Sequence, residues 1–174
     1  MKKYFFLIFY YAFARYLPAS HSRYIGKPSK YIRYIVCKNI FLKCGKNVNV
    51  ERLAYFGTGK NLVIGDNSGL GVNCKLHNNS IIGKNVNMGP NCYMLQSHHV
   101  ISRTDIPMRE QGFSNHVTQV IIEDDIWIGR DVMILGHREI KTGSIIGART
   151  LLTKNFPQFS IVGGNPSKLI RNRI

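Results

Sequence analysis

Every sixth residue along two long runs of this chain is a large aliphatic side chain. An α-helix would repeat such residues every 3.6 positions and a strand every second position, so neither accounts for a period of six. A period of six requires short strands joined by turns, with one aliphatic side chain per strand directed at a common axis. That arrangement is a parallel β-helix. The first run comprises Ile64, Leu70, Leu76, Ile82, Met88 and Met94, and the second Ile122, Ile128, Ile134, Ile140, Ile146 and Leu152.

The residues between the aliphatic positions agree with this fold. A small or slim side chain comes four positions after most aliphatics. Gly often follows the aliphatic directly, and Asn, Asp and Lys are frequent elsewhere, where tight corners need a positive φ or an Asx turn. The pattern therefore predicts an all-β solenoid of hexapeptide repeats. The small positions are Ser68, Cys74, Ser80, Val86, Cys92, Ile126, Val132, Ser144 and Thr150.

Breaks in the repeat divide the chain. The repeat begins near Cys44, so we expect an N-terminal helical segment over 1–43 and a β-helix domain over 44–174. The register slips by two around 57–61. The step from Met94 to Ile122 is not a multiple of six, which predicts an excursion at 97–117. The tail after Thr153 contains two prolines and is predicted to cap the open end of the solenoid.

The N-terminal segment predicts two helices. The first covers 1–18 and stops at Pro18, and the second covers 28–42, with Tyr31, Ile35 and Ile40 as its apolar positions and Lys30, Arg33 and Lys38 as its charged ones. The apolar run in 1–17 is too short to span a bilayer. Two interpretations of 1–17 stay open: a cap on the first coil, which is slightly favoured, or a peripheral contact with a membrane interface.

Composition narrows the classes of partner. The net charge is +15 with a pI near 9.9, which suits a phosphate-rich ligand or an anionic membrane face. The Lys and Arg residues are dispersed and no nucleic-acid motif is present, so no nucleic-acid partner is expected. The four cysteines form no CxxC pair, which argues against a zinc knuckle and favours reduced thiols in the cytoplasm.

The repeats "VIGDNS", "IIGKNV", "WIGRDV" and "IIGART", the interruption "HHVISRTDIPMREQGF" and the ending "VGGNPSKLIR" resemble the hexapeptide-repeat acyltransferases. The resemblance covers about 44–174 and is closest to the branch that O-acetylates sugars during polysaccharide or lipopolysaccharide assembly, related to galactoside and maltose acetyltransferases. It implies a left-handed coil, acetyl-CoA as co-substrate, a sugar or glycan acceptor, and a homotrimer with active sites between subunits. Handedness depends on the resemblance, because parallel crossovers are normally right-handed.

The excursion holds the candidate catalytic residues, His98 and His99. Neutral imidazole can take a proton from a hydroxyl near pH 7, as acyl transfer to an alcohol requires. By resemblance, counting back from "DIPM" favours His99, whereas alignment from the preceding repeat favours His98; we prefer His99 as the base. Asp105 and Arg109 are the candidate substrate-binding residues, and a carboxylate such as Asp105 is also a candidate to orient the imidazole.

The resemblance also implies a coenzyme A site. Trp127 and Gly129 would line the pantetheine arm, Ala148 and Thr153 its distal half, and Lys154, Lys168 and Arg171 would meet the phosphates. Gly129, Gly147 and Ala148 permit a close approach to the backbone. Alternation along the strand makes Trp127 outward-facing. His137 and Arg138 depart from the family pattern and are candidates to touch the cofactor or a neighbouring subunit.

Two alternatives stay open. In the first, the acceptor is an amine, such as an amino sugar, or the acyl group is a different one; in the second, the chain is a non-catalytic scaffold for a membrane-bound glycan assembly. A zinc hydratase with three histidine ligands shares this fold, but the histidine spacing does not reproduce its ligand set, so no metal is expected.

Overall fold

The computed structural model describes residues 2–95, 99–114 and 119–173. Two helices come first, α1 (Lys2–Ala12) and α2 (Gly26–Lys38), with a 3₁₀ turn at Ala14–Tyr16 between them and another at Met108–Glu110. Short strands follow: β1 (Lys43–Cys44), β2 (Asn49–Val50), β3 (Val63–Ile64), β4 (Gly69–Leu70), β5 (Ile81–Ile82), β6 (Asn87–Met88), β7 (Tyr93–Leu95), β8 (Val120–Ile122), β9 (Trp127–Ile128), β10 (Met133–Leu135), β11 (Arg138–Ile140), β12 (Ile145–Ile146), β13 (Leu151–Leu152), β14 (Ser160–Gly163) and β15 (Lys168–Asn172).

The strands form three sheets, and successive segments of the chain contribute to each sheet in turn. Neighbouring strands are parallel except β14 and β15. Val63 pairs with Ile81, Gly69 with Asn87 and Met133 with Leu151, so the chain returns to the same sheet after three six-residue segments. The five-stranded sheet has the order β1-β3-β5-β8-β11, the three-stranded sheet β13-β10-β7, and the seven-stranded sheet β15-β14-β12-β9-β6-β4-β2. This pairing confirms the parallel coil that the period of six predicts and shows that the coil has three sides.

The interior of the coil is the one that the sequence predicts. All twelve aliphatic positions are buried, and so are the nine small positions between them. The residue three positions before an inward aliphatic takes a positive φ at most corners. The non-glycine examples include Asn67, Asn73, Asn85, Asn91, Asp125 and Asp131. Asn and Asp tolerate this conformation better than other side chains, which explains their abundance there.

Both breaks in the repeat appear in the pairing. Cys44 pairs with Ile64 across 20 residues rather than 18, which is the predicted slip of two in the first coil. Ile82 pairs with Ile122, so the coil closes normally once the inserted residues are left out. The excursion leaves the coil after β7 and returns at β8, at the corner between the three-stranded and five-stranded sheets.

The first helix caps the open end of the coil. Tyr10 is fully buried, its ring lies 4.6 Å from that of Phe56, and its hydroxyl donates to the carbonyl of Ala54 at 2.9 Å. The helix ends at Ala12 rather than at Pro18, and a 3₁₀ turn follows, in which the carbonyl of Arg15 accepts a hydrogen bond from the amide of Leu53 on the first coil. In the described part of the chain, neither helix has the length and apolar character needed to cross a bilayer.

The second helix faces the coil with a different side from the predicted one. Arg33 is fully buried, whereas Tyr31 and Ile35 are exposed. The guanidinium of Arg33 donates to the carbonyls of Leu17 and Pro18 and pairs with Glu51 at 3.4 Å. Burial is favourable here because these acceptors replace the water that the charge loses. The helix ends at Lys38 rather than at residue 42, and Ile40 and Phe41 beyond it are buried in the core.

The tail extends the coil before it closes it. β14 adds one more parallel strand, with Ile145 opposite Ile161, and Val162 is buried like the inward aliphatics of earlier coils. β15 then turns back antiparallel to β14. The prediction of a cap beginning at residue 154 was therefore wrong in its boundary, because the repeat continues beyond Thr153 with a changed spacing.

Candidate active site

His99 lies at the base of the excursion, where two arms of the chain run antiparallel. His99 and Phe113 form a β-bridge, and the amide of Val100 donates to the carbonyl of Gly112 at 3.1 Å. The imidazole is exposed and stacks on the ring of Phe113, with the ring centroids 4.3 Å apart. An exposed imidazole on a fixed backbone can accept a proton from an incoming hydroxyl. Phe113 is not among the site residues that the sequence predicts.

The excursion is tied together by its own side chains. The amide of Gln111 donates to the carbonyls of Arg103 and Ile106 at 2.9 and 3.1 Å. Asp105 is exposed and bonds with Arg103, and this ion pair lowers the pKa of the Asp105 carboxyl. Asp105 therefore has a partner other than His99 in this conformation. Arg109 is exposed in the 3₁₀ turn at the tip.

His98 lies outside the described residues, so the choice between His98 and His99 stays a prediction.

A row of outward positions crosses the seven-stranded sheet. Trp127 pairs with Ile145, Ile145 with Ile161, and Ile161 with Arg171. Directly opposed residues project to the same face of a sheet. Trp127 is 57% exposed, which confirms its outward orientation. At the usual strand spacing, Trp127 and Arg171 stand about 14 Å apart across three strand intervals.

A bulge places Lys168 on the same face. The register between β14 and β15 shifts between Ile161 and Val162, so Arg171 opposes Ile161 while Lys168 opposes Gly163. Positions 161 and 163 face the same side of the sheet. In a regular strand, residues three positions apart face opposite sides, so the bulge is what turns both Lys168 and Arg171 outward. The two predicted phosphate ligands of the last strand thus share one face with Trp127.

The predicted glycine positions owe their identity to the packing of coils. A Cβ on Gly129 would lie 2.6 Å from the backbone nitrogen of Ala148, and one on Gly147 would lie 3.2 Å from the carbonyl oxygen of Val162. The close approach at Gly129 is thus to the next coil. Ala148 is exposed, and contact of these three residues with a ligand remains a prediction.

Thr153 is held against the start of the last strand. Its backbone amide donates to the hydroxyl of Ser167 at 3.0 Å, and the hydroxyl oxygens of Thr153 and Ser167 lie 3.2 Å apart. Ser167, which is not among the site residues that the sequence predicts, thereby brings Thr153 next to Lys168. Lys154 is exposed, with its ammonium 5.5 Å from the ring centroid of Phe156.

Arg138 also reaches this region. Its guanidinium donates to the carbonyl of Thr153, and burial lowers the pKa of Arg138. Within the described ranges its Nε has no acceptor. The unusual Arg138 therefore lies beside Thr153, a predicted cofactor-binding residue. The other unusual residue, His137, points elsewhere: its Nε2 lies 4.0 Å from Oε1 of Glu139.

Among the described residues, no group of three or more His, Cys, Asp or Glu side chains is placed to hold a metal ion.

Comparisons with known proteins agree with this architecture. No family model matches the chain. Galactoside O-acetyltransferase of Escherichia coli strain K12 is 30% identical over 142 residues, which cover 80% of this chain and 68% of that protein. Chloramphenicol acetyltransferase of Klebsiella aerogenes is 43% identical over 53 residues, and a putative colanic acid biosynthesis acetyltransferase of Escherichia coli strain K12 is 31% identical over 64 residues.

Two solved structures extend the comparison over nearly the whole chain. A maltose O-acetyltransferase from Clostridium difficile 630 has a TM-score of 0.77 and 25% identity, covering 98% of this chain and 86% of that one. A galactoside acetyltransferase in complex with coenzyme A has a TM-score of 0.71 and 25% identity, covering 99% of this chain and 81% of that one.

A three-sided coil of hexapeptide repeats with a histidine-bearing excursion defines a class of protein, and the relatives identify it. The chain belongs to the hexapeptide-repeat acetyltransferase family. The matches to the chloramphenicol acetyltransferases span only about a quarter to a third of those proteins, 30% and 40% of this chain.

Proposed function

We propose that this protein is an acetyl-CoA-dependent O-acetyltransferase that acts on a sugar hydroxyl during the assembly of a surface polysaccharide or lipopolysaccharide. The observation that carries the proposal is the 30% identity to galactoside O-acetyltransferase over 80% of the chain. The match to a putative colanic acid biosynthesis acetyltransferase supports a glycan pathway. The proposed cofactor has a precedent in the galactoside acetyltransferase whose structure contains coenzyme A.

In the proposed reaction, the imidazole of His99 takes the proton of the acceptor hydroxyl. The oxygen then attacks the carbonyl carbon of the thioester directly, and backbone N–H groups stabilise the negative charge that develops on the carbonyl oxygen. Collapse of the tetrahedral intermediate breaks the carbon–sulfur bond. The imidazolium returns its proton to the departing thiolate, so the products are the acetyl ester and free coenzyme A. No covalent acyl-enzyme is needed.

The proposed coenzyme A site follows the outer face of the seven-stranded sheet. Trp127 would line the pantetheine arm at one end of the row, and Lys168 and Arg171 would bind phosphates at the other. Guanidinium groups bind phosphate through paired hydrogen bonds, and a planar indole offers an apolar wall. Gly129, Gly147, Ala148, Thr153 and Lys154 would complete the site.

We further propose a left-handed coil and a homotrimer with active sites between subunits. The excursion with His99 leaves the coil at the corner between the three- and five-stranded sheets, whereas Trp127 and Arg171 occupy the seven-stranded sheet. In the proposed trimer, His99 of one copy would lie beside the row of Trp127 and Arg171 on a second copy. The free thiols, of which Cys37, Cys74 and Cys92 are buried, support the proposed location in the cytoplasm.

The test is turnover of acetyl-CoA with a panel of free and nucleotide-linked sugars, in which release of free thiol is followed. We expect thiol release that depends on a sugar hydroxyl and yields a base-labile ester. Acetylation of amino sugars alone would replace this function with N-acyl transfer. Tight binding of acetyl-CoA without turnover on any acceptor, including a lipid-linked glycan, would favour the non-catalytic scaffold. Light scattering of the same sample should give three times the 19.8 kDa chain mass.

A further inference from the structure

The first helix has two apolar faces, and the coil covers only one of them. Tyr10 and Tyr11 face the first coil, where their hydroxyls donate to the carbonyls of Ala54 and Gly57 at 2.9 and 2.8 Å. On the other side, Tyr4 is 72% exposed, Phe5 66% and Ile8 69%. Capping the coil therefore explains the inner face and leaves the outer face unexplained.

The exposed aromatic side chains form a ridge that is joined through Phe9, which is itself half-buried against the core. Phe5 stacks with Phe9 at a centroid distance of 6.5 Å, and Phe9 lies 5.4 Å from Phe13. Phe13 and the nearby Tyr16 are also more than half exposed. A contiguous exposed patch of large aromatic side chains is unusual on a protein surface and marks a site of interaction.

The surrounding segment carries positive charge only. The first 50 residues contain ten of the 24 Lys and Arg residues of the chain and none of its nine Asp and Glu residues. Arg33 is the only buried one of the ten. Burial, together with the nearby charge of Lys60, lowers the pKa of Lys3, and Arg33 is paired with Glu51 of the first coil.

We propose that the outer face of α1, together with the basic residues of 2–46, binds the surface of an anionic phospholipid bilayer. Aromatic and aliphatic side chains of an interfacial helix insert at the level of the headgroups, while Lys and Arg interact with the lipid phosphates. The ridge and the basic residues provide both components at one end of the molecule.

The second helix adds to this surface. It packs beside α1 and exposes Tyr31 and Ile35, because its inward side is occupied by Arg33. Lys27, Lys30, Tyr31 and Tyr34 line a groove of about 300 Å³ between α2 and the first coil. Two ammonium groups and two phenol rings in one groove suit a phosphate-bearing headgroup.

Charge favours a bilayer over a second copy of the chain as the occupant of this face. Two copies joined through it would bring two segments with ten cations each and no acids into contact, and like charges at an interface oppose association. An anionic bilayer has the complementary sign and an apolar interior for the aromatic ridge. This inference is independent of the proposed acetyl transfer, since lipid binding is measured without any substrate.

The experiment is flotation of the full chain with vesicles of phosphatidylcholine alone or mixed with equal phosphatidylglycerol. We expect flotation with the mixed vesicles only, and its loss in about 0.5 M salt, which screens surface charge. The double variant Phe5→Ser/Ile8→Ser should float at least about tenfold less. Its melting temperature should stay close to that of the parent protein, because both side chains are exposed.

Charge variants supply the matched control. Lys27→Gln/Lys30→Gln should weaken flotation clearly, whereas Lys75→Gln/Lys84→Gln removes the same charge from exposed positions on the coil and should leave it nearly unchanged. Equal losses in both double variants would mean that net charge alone is responsible and would overturn the proposal. So would unchanged flotation of Phe5→Ser/Ile8→Ser, or a loss of oligomeric mass in that variant, which would assign the ridge to a subunit interface.

Discussion

His99 is the side chain on which the proposed chemistry depends. Its backbone is fixed by the bridge to Phe113, and its ring is stacked yet exposed, so it can be replaced without opening the core. We expect His99→Ala to lower kcat by about 10²–10⁴-fold with an unchanged melting temperature. Steady-state kinetics with acetyl-CoA measures this, and His98→Ala should have a smaller effect. Loss of activity in His98→Ala alone would move the base by one position.

Arg171 and Arg173 form a matched pair for the coenzyme A site. Arg171 faces outward in the row that contains Trp127, whereas Arg173 is paired with Asp125 at 2.9 Å and donates to the carbonyl of Gly143. Arg171→Ala should raise KM for acetyl-CoA about tenfold and spare kcat, since it removes binding that is equal in the ground and transition states. Arg173→Ala should leave KM unchanged. An equal effect of Arg171→Ala with a donor that lacks the 3′-phosphate would argue against binding of that phosphate by Arg171.

At the scale of the repeating element, stacked corners explain why glycine follows the inward aliphatic. A Cβ on Gly71 would lie 2.1 Å from the carbonyl oxygen of Gly89 in the next coil, whereas a Cβ on Gly69 would lie 3.7 Å from the carbonyl oxygen of Asn49. The first distance forces the backbone to move and the second is an ordinary contact.

We therefore expect Gly71→Ala to lower the free energy of unfolding by about 3 kcal/mol. Gly69→Ala, two residues away, should change it by less than about 1 kcal/mol. Denaturant titration of both variants tests the pairing register directly. Equal stabilities would show that the corners do not stack as closely as these distances indicate.

The pair of Arg33 and Glu51 joins the second helix to the first coil. Burial opposes the charge of Glu51, but hydrogen bonds from Ser20 and Asn49 and the charge of Arg33 outweigh it, so the pKa of Glu51 is lowered from its ordinary 4.5. A carboxyl with a lowered folded-state pKa stabilises the fold above its unfolded-state pKa. That contribution is lost as the pH falls through the folded-state value.

Glu51→Gln should therefore be less stable than the parent protein at pH 7, and the difference should shrink below about pH 4.5. Denaturant titrations over this range measure the difference. Glu123→Gln is the control, because Glu123 pairs with Lys141 at the surface and solvent screens that pair. A difference for Glu51→Gln that is the same at every pH would show that its charge is not the cause.

At the scale of the whole molecule, a coil of parallel strands is stable only when both ends are covered. α1 covers the first end and β15 turns back against β14 at the other. Tyr10 is fully buried in the cap, whereas Tyr4 on the same helix faces solvent. Tyr10→Ala should lower the free energy of unfolding by about 3–5 kcal/mol.

Tyr4→Ala should leave stability nearly unchanged and instead weaken flotation with anionic vesicles. Thermal and denaturant melts of the two variants separate the capping face from the lipid-facing one. If Tyr4→Ala destabilised the protein as much as Tyr10→Ala, the helix would be buried on both sides, and its outer face would not be free to meet a bilayer.

The period of six, read from the sequence alone, predicted the coil, its interior and its corners, because each repeat places one side chain inward regardless of distant contacts. The twelve aliphatic residues at this period, from Ile64 to Leu152, are all buried. Trp127 was likewise predicted to face outward, since alternation along a strand is a local property.

Only the tertiary structure decided which side of α2 faces the coil, because the acceptors that make burial of Arg33 favourable come from Leu17, Pro18 and Glu51, distant in sequence. The same holds for the last strands, where a bulge turns Lys168 and Arg171 to the face of Trp127. A repeat is determined by neighbours along the chain, and the sequence contains that information directly. The orientation of a helix or a closing strand depends on hydrogen bonds and charges that meet only when the chain has folded.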